Sequence, residues 1–164
     1  CIPQAVKALQ DLGMHRKVQL IVSGGIRTGA DVAKALALGA DAVAIGTAAL
    51  IALGDNDPKW EAEYQALGST ADAYDDWHEG RDPAGITTQD PDLASRFDPV
   101  LGGRRLKNYL KVMTLEAQTI ARACGKNHLH NLEPEDLCAL TLESAAMAGV
   151  PLAGTNWTPG RNGF

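Results

Sequence analysis

An α/β fold on parallel strands is what the sequence predicts, from three observations. Two short, apolar, β-rich runs, residues 18–22 and 42–45, each end in a small-residue turn, Ser23-Gly24-Gly25 and Gly46-Thr47. Each turn leads into a helical pattern, so the order is strand, helix, strand, helix, which demands parallel pairing through a crossover. The runs are continuous rather than alternating, as expected of strands buried on both faces.

The first helix should open at Thr28, which stands three residues before Asp31 in the arrangement of a capping box. Val32, Ala35 and Leu36 share its inner face, and Gly39 is placed to stop it. The second helix should begin at Ala48 and run to Leu53. From about Gly102 a long stripe of Leu106, Tyr109, Leu110, Met113, Ala117, Ile120 and Ala121 predicts a helix closed by Gly125. Pro134, flanked by Glu133, Glu135 and Asp136, is expected at the first turn of a further helix carrying Leu137, Leu140, Ala145 and Met147 up to Gly149. The tail from Gly154 is rich in Gly, Pro and Asn and should lack regular structure.

Between these regions the composition changes. Residues 55–98 hold twelve acidic and three basic residues, a net of −9 within a chain of −5 overall. Trp60, Tyr74 and Trp77 favour an ordered surface excursion over a disordered acidic linker, and Trp60, Tyr64 and Leu67 are spaced for one face of a short helix. The expected organisation is therefore 1–54, 55–101 and 102–164.

Bulk properties exclude some classes. A net charge of −5 argues against nucleic-acid binding, and no apolar run reaches the roughly 20 residues a membrane helix needs. The three cysteines, Cys1, Cys124 and Cys138, fit no zinc or disulfide spacing. Cys124 and Cys138 fall in apolar helical patterns and are expected as buried thiols in a reducing cytoplasm. The chain starts at Cys1 without Met or signal peptide, and is read as a C-terminal piece because its strand-end motif arrives without preceding strands.

The chemistry lies in the two strand ends. In (β/α)8 barrels, loops after the last two strands commonly grip a phosphate. Glycine lacks a Cβ, so backbone N–H groups at Gly24, Gly25, Gly46 and Thr47 can approach phosphate oxygens, helped by a helix start nearby. A plain turn is the competing reading of Gly24-Gly25 alone. The pair at this spacing points to the last two βα units of a (β/α)8 TIM barrel, followed by an acidic insertion and C-terminal helices.

The string VQLIVSGGIRTGADVAKALALGADAVAIGTAALIALG, residues 18–54, resembles the end of the FMN-binding barrel of the glutamate synthase family. The stretch DPAGITTQDPDL, residues 82–93, continues the resemblance, which extends to the branch related to N-methylglutamate synthase. The resemblance implies an FMN site in which Ser23, Gly24 and Gly25 face ribityl and phosphate while Gly46 and Thr47 close around the phosphate. Arg27 either neutralises the phosphate or is a solvated residue at a helix start. Ser23 stands where many flavin barrels carry an Asp, which implies a weaker, uncharged ribityl contact. Also implied are 2-oxoglutarate and an amine or ammonia as substrates, partner subunits of a complex, and catalytic residues on strands outside this chain.

One departure matters. The family holds a 3Fe–4S cluster on three cysteines, whose places here fall to Asp55, Trp77 and Asp82, so no cluster is expected. Alternatives are a nucleotide-binding barrel of the inosine-monophosphate dehydrogenase or guanosine-monophosphate reductase kind, and a redox-inactive subunit. His128 and His130 could pair on a metal, although hydrogen bonding or capping is the stronger expectation. Asp75, Asp76 and Glu79 lack calcium-loop spacing and are expected as acidic surface.

Overall fold

The computed structural model describes residues 1–68 and 80–160. The chain folds as two compact units, Cys1–Ala44 with Met113–Phe164, and Ile45–Val112. Tyr74, Asp75, Asp76, Trp77, His78 and Glu79 lie outside the described residues.

In the first unit, α1 (Ile2–Asp11) precedes β1 (Ile21–Ser23), α2 (Gly29–Ala37) and β2 (Ala42–Ala44). The helix α1 is not among the expected elements, although Ile2, Ala5, Val6 and Leu9 recur at helical spacing and Pro3 suits its first turn. The strands pair in parallel, with Ile21 opposite Ala42 and Ser23 opposite Ala44. Both are shorter than the sequence suggests. Asp41 explains part of this, because its carboxylate takes the Leu20 N–H at 2.7 Å, a group a longer ladder would use.

Within this chain the two strands are covered on one face. Burial alternates along both, and Ile21 is 64% exposed. Val22 and Val43 point to the covered side, against Leu36 and Ala40 beside α2. Two strands with helix on one side leave the opposite side open, so continuous apolarity outruns the cover this chain provides.

The capping box forms as read. Asp31 N–H donates to Thr28 Oγ1 at 3.2 Å, and Thr28 N–H donates back to Asp31 at 3.1 Å. From α2, Ala33 and Ala37 pack on Ala121 of α6 (Pro99–Ala123) and on Leu132. Small residues at this contact let backbones approach. A Cβ on Gly29 would lie 2.3 Å from the Met113 carbonyl oxygen and 2.6 Å from the Ala117 nitrogen. Glu116 uses that proximity to accept the Gly29 N–H at 2.6 Å.

A continuous helix after Pro134 does not form. A single 3₁₀ turn, Pro134–Asp136, is followed by extended backbone, in which Ala139 bridges Leu152, and then by α7 (Leu142–Ala148). Asp136 turns back to accept the Glu133 N–H at 2.9 Å, and Thr141 starts α7 by capping Ser144 N–H at 3.1 Å. The buried-thiol expectation fails with it. Cys138 is exposed on the extended segment and Cys124 is half-buried.

The second unit contains α3 (Thr47–Leu53), α4 (Glu61–Ala66), α5 (Pro91–Ala94) and the first half of α6. Tyr64, on α4, is buried as its spacing implies. The residues described between 55 and 98 are thus ordered, and Asp90 and Asp98 cap α5 and α6.

Gly29→Ala is expected to destabilise the full-length protein by about 1–3 kcal/mol through overpacking against α6. Chemical unfolding checks this, and an unchanged midpoint would show that the two helices can simply part.

Candidate functional site

At the end of β1 the backbone enters left-handed territory, with φ of 103° at Gly24 and 71° at Gly25. Neither glycine would place a Cβ within 4 Å of another atom, and both are exposed with Ser23 and Arg27. The N–H groups of Gly25 and Ile26 have no hydrogen-bond partner among the described residues. Main-chain donors therefore stand open to solvent at this strand end.

The start of α2 behaves differently. Arg27 N–H, Thr28 N–H and the Thr28 hydroxyl all donate to Asp31, at 3.1, 3.1 and 3.0 Å. With Glu116 on Gly29, carboxylates of the chain itself already answer this positive helix end. Burial raises the Asp31 carboxyl, yet the donors from Arg27 and Thr28 and the Lys34 ammonium together hold it below its ordinary value.

Gly46 and Thr47 belong to the second unit and open α3. Gly46 supplies no side-chain cap; its carbonyl accepts from Ala49 at 2.8 Å and Leu50 at 3.2 Å. The N–H groups of Thr47 and Ala48 have no partner among the described residues, and a Cβ on Gly46 would meet nothing within 4 Å.

Also within the second unit, Asp55 and Asp82 converge. The Tyr64 hydroxyl lies 2.8 Å from Asp55 Oδ1 and 2.9 Å from Asp82 Oδ1. Exposures of 5% for Asp55 and 1% each for Tyr64 and Asp82 put the group out of water. Asp82 Oδ1 also accepts from Ala84 N–H at 3.0 Å, while Oδ2 accepts from Ile86 and Thr87 N–H, both at 2.7 Å, and from the Thr87 hydroxyl at 3.2 Å. Burial alone would raise the Asp82 carboxyl. The donors from Thr87, Tyr64, Ile86 and Ala84 outweigh it and hold the group below its ordinary value. Tyr64 is pushed upward, first by burial and then by both carboxylates, so the phenol keeps its proton.

Tyr64 is the residue that sequence reasoning undervalued. Helical spacing marked it as a core side chain; that its hydroxyl would meet two distant carboxylates leaves no local trace. The positions that the resemblance aligns with cluster ligands, Asp55 and Asp82, do come together around it. Trp77, the other such position, lies outside the described residues.

The histidines are structural. His128 Nδ1 accepts the His130 N–H at 3.1 Å, capping the turn Leu129–Asn131, and His130 Nε2 reaches the Asp41 carbonyl at 2.8 Å. The described residues contain no cluster of three metal-ligating side chains, and among them no helix is long and apolar enough to cross a membrane.

Tyr64→Phe should cost about 1–3 kcal/mol locally by removing the hydroxyl shared by two buried carboxylates. The Ile86 and Thr87 amides should then exchange about tenfold faster or more, read by hydrogen exchange. Folding lowers the Asp82 pKa, so its contribution is present at neutral pH and is lost as pH falls through the carboxylate range. Asp82→Asn should lower stability at pH 7 and flatten its decline between roughly pH 5 and 2; an unchanged acid slope would contradict the assignment.

The family profile described as a conserved region in glutamate synthase matches residues 1–58 and 69–127. A glutamate synthase large subunit-like protein of Rhizobium meliloti (strain 1021) is 83% identical over all 164 residues, which span 37% of that relative's length. An archaeal glutamate synthase [NADPH] of Methanocaldococcus jannaschii is 40% identical over 124 residues, 76% of this chain and 21% of the relative. A ferredoxin-dependent glutamate synthase 1, chloroplastic/mitochondrial, of Arabidopsis thaliana is 30% identical over 120 residues, 73% of this chain and 6% of the relative. No solved structure matches the chain. With most of its length matched by the profile and all of it by a close relative, the chain belongs to the glutamate synthase family.

Proposed function

We propose that this chain is the phosphate-gripping end of an FMN-dependent, glutamate-synthase-like oxidoreductase built on a (β/α)8 barrel. The observation that carries the reading is the pair of parallel strands whose ends lead into glycine turns where, among the described residues, the N–H groups of Gly25, Ile26, Thr47 and Ala48 have no partner, in a chain of this family. The outer edges of β1 and β2, unpaired among the described residues, suit further strands, because a two-stranded sheet is marginal alone.

Features of both strand ends support a phosphate-bearing ligand. Gly25, Ile26, Thr47 and Ala48 offer unpartnered N–H groups, and neither Gly24, Gly25 nor Gly46 has an obstruction where phosphate oxygens would approach. On this reading Ser23 offers its hydroxyl to the ribityl chain, Thr47 adds its own to the phosphate, and Arg27 lends positive charge. When bound, FMN supplies hydride transfer, here to the imine of 2-oxoglutarate with ammonia or an amine. The residues that orient the substrate belong to strands outside this chain. N-methylglutamate formation, partner subunits and a cytoplasmic location belong to the same proposal.

This segment is proposed to hold no iron–sulfur cluster. No cysteine lies between residues 2 and 123, and Asp82 already receives donors on both oxygens. Electrons then reach the flavin by another route. That same substitution favours a second reading, a barrel subunit without redox turnover. The family match favours both over the nucleotide-binding dehydrogenase alternative.

Flavin absorbance in the blue from the purified full-length protein tests the first reading, and a colourless protein would reject it. Bleaching by an amine or a reduced nicotinamide separates it from the second. Gly46→Val should weaken FMN retention by about tenfold or more while leaving the thermal midpoint nearly unchanged. Undiminished flavin content in that variant would contradict the placement of the phosphate.

A further inference from the structure

The second unit contains a cavity of about 70 Å³ walled by Trp60 and Phe97 and lined by Lys59, Arg96 and Arg105. Its cations are arranged rather than scattered. Lys59 Nζ lies 4.5 Å from the centre of the Trp60 ring and Arg96 Cζ 5.2 Å from it, so one indole holds two of them by cation–π attraction. Arg96 is fixed further by donating to Glu63 at 2.8 Å and to the Pro83 carbonyl at 3.2 Å.

Arg105 stands apart, with no hydrogen-bond or ion-pair partner among the described residues. Glycine keeps the space beside it open. A Cβ on Gly54 would sit 3.0 Å from Arg105 Nη1, and Gly54 has a φ of 114° that side chains rarely adopt. On the other wall, Gly102 lets the Phe97 ring close to 2.5 Å from where its Cβ would be.

Two carboxylates also line the cavity, and both are occupied. Asp57 Oδ1 accepts the Lys59 N–H at 3.2 Å, with Oδ2 3.7 Å from Lys59 Nζ. Asp98 Oδ1 accepts the Val100 and Leu101 N–H groups at 2.9 and 3.1 Å. Lys59 and Arg96 thus already have acidic partners in Asp57 and Glu63, Asp98 serves as a cap, and the guanidinium left over, that of Arg105, carries the fork geometry that matches an oxyanion.

We propose that this cavity binds one small oxyanion, a carboxylate or a phosphate group, with Arg105 as its principal ligand and Lys59 and Arg96 on the indole as supporting charge. The site is distinct from the strand-end glycines and does not depend on the flavin reading.

The test is a tryptophan-fluorescence titration of the full-length protein with inorganic phosphate and, separately, with acetate. Chloride holds the ionic strength constant, and flavin content is measured in parallel. A saturable change with at least one of the two anions is expected; which one saturates identifies the class. Arg105→Gln should shift its midpoint by about tenfold or more, Arg105→Lys by less, and Trp60→Phe should abolish the signal. Lys59→Gln serves as the weakened variant should Arg105→Gln not fold, with an expected shift of about threefold. Absence of saturation with both anions, a signal that persists in Trp60→Phe, or a midpoint indifferent to these charge changes would overturn the proposal. Altered flavin content with unchanged anion titration would bear on the flavin site alone.

Discussion

One buried carboxylate organises the second unit. Asp82 gathers the amides of Ala84, Ile86 and Thr87 and, through Tyr64, ties their loop to α4 and to Asp55 after α3. A charge removed from water is tolerated only when its lone pairs are filled, and here donors reach both oxygens. The same bonds that offset desolvation fix the loop, because the loop's own backbone supplies most of them. Removing the carboxylate would leave these amides unpaired and the phenol with Asp55 alone. The described part of the acidic stretch therefore buries two of its acids, Asp55 and Asp82, instead of presenting all of them to solvent.

A different constraint governs the first unit. The contact between α2 and α6 is made of Gly29, Ala33, Ala37, Ala117 and Ala121, residues small enough for helices to meet at backbone distance. Glu116 then reaches the first turn of α2, so the close approach also supplies an anion to that helix start. The β1 end nearby keeps the N–H groups of Gly25 and Ile26 without a partner among the described residues. That contrast, one set of donors filled from within and another left open, is the local asymmetry on which a ligand reading of the strand ends rests.

Much of this was legible from the chain alone. Thr28 and Asp31 form the box their spacing implies, Gly125 and Gly149 follow the ends of α6 and α7, and α6 covers the stripe from Leu106 to Ala121. His128 caps the turn that follows it. Where periodicity misled, a local hydrogen bond competed with it. Asp136 and Thr141 draw backbone N–H groups into turns and divide what reads as one helix after Pro134, which leaves Cys138 exposed. In the strands, apolar sequence reports what can be buried, while the cover observed depends on what lies against them.

The sequence by itself determined the helix boundaries set by caps and glycines and the parallel strand order, because these depend on residue type at short spacing, while the family followed from resemblance over longer strings. Tertiary structure alone decided that Tyr64 joins Asp55 to Asp82, that Glu116 caps α2, and that Lys59 and Arg96 share the Trp60 ring. Such contacts join residues whose separation in the chain carries no periodicity. They arise where desolvation forces each buried polar group to find whatever partner the packing brings within reach.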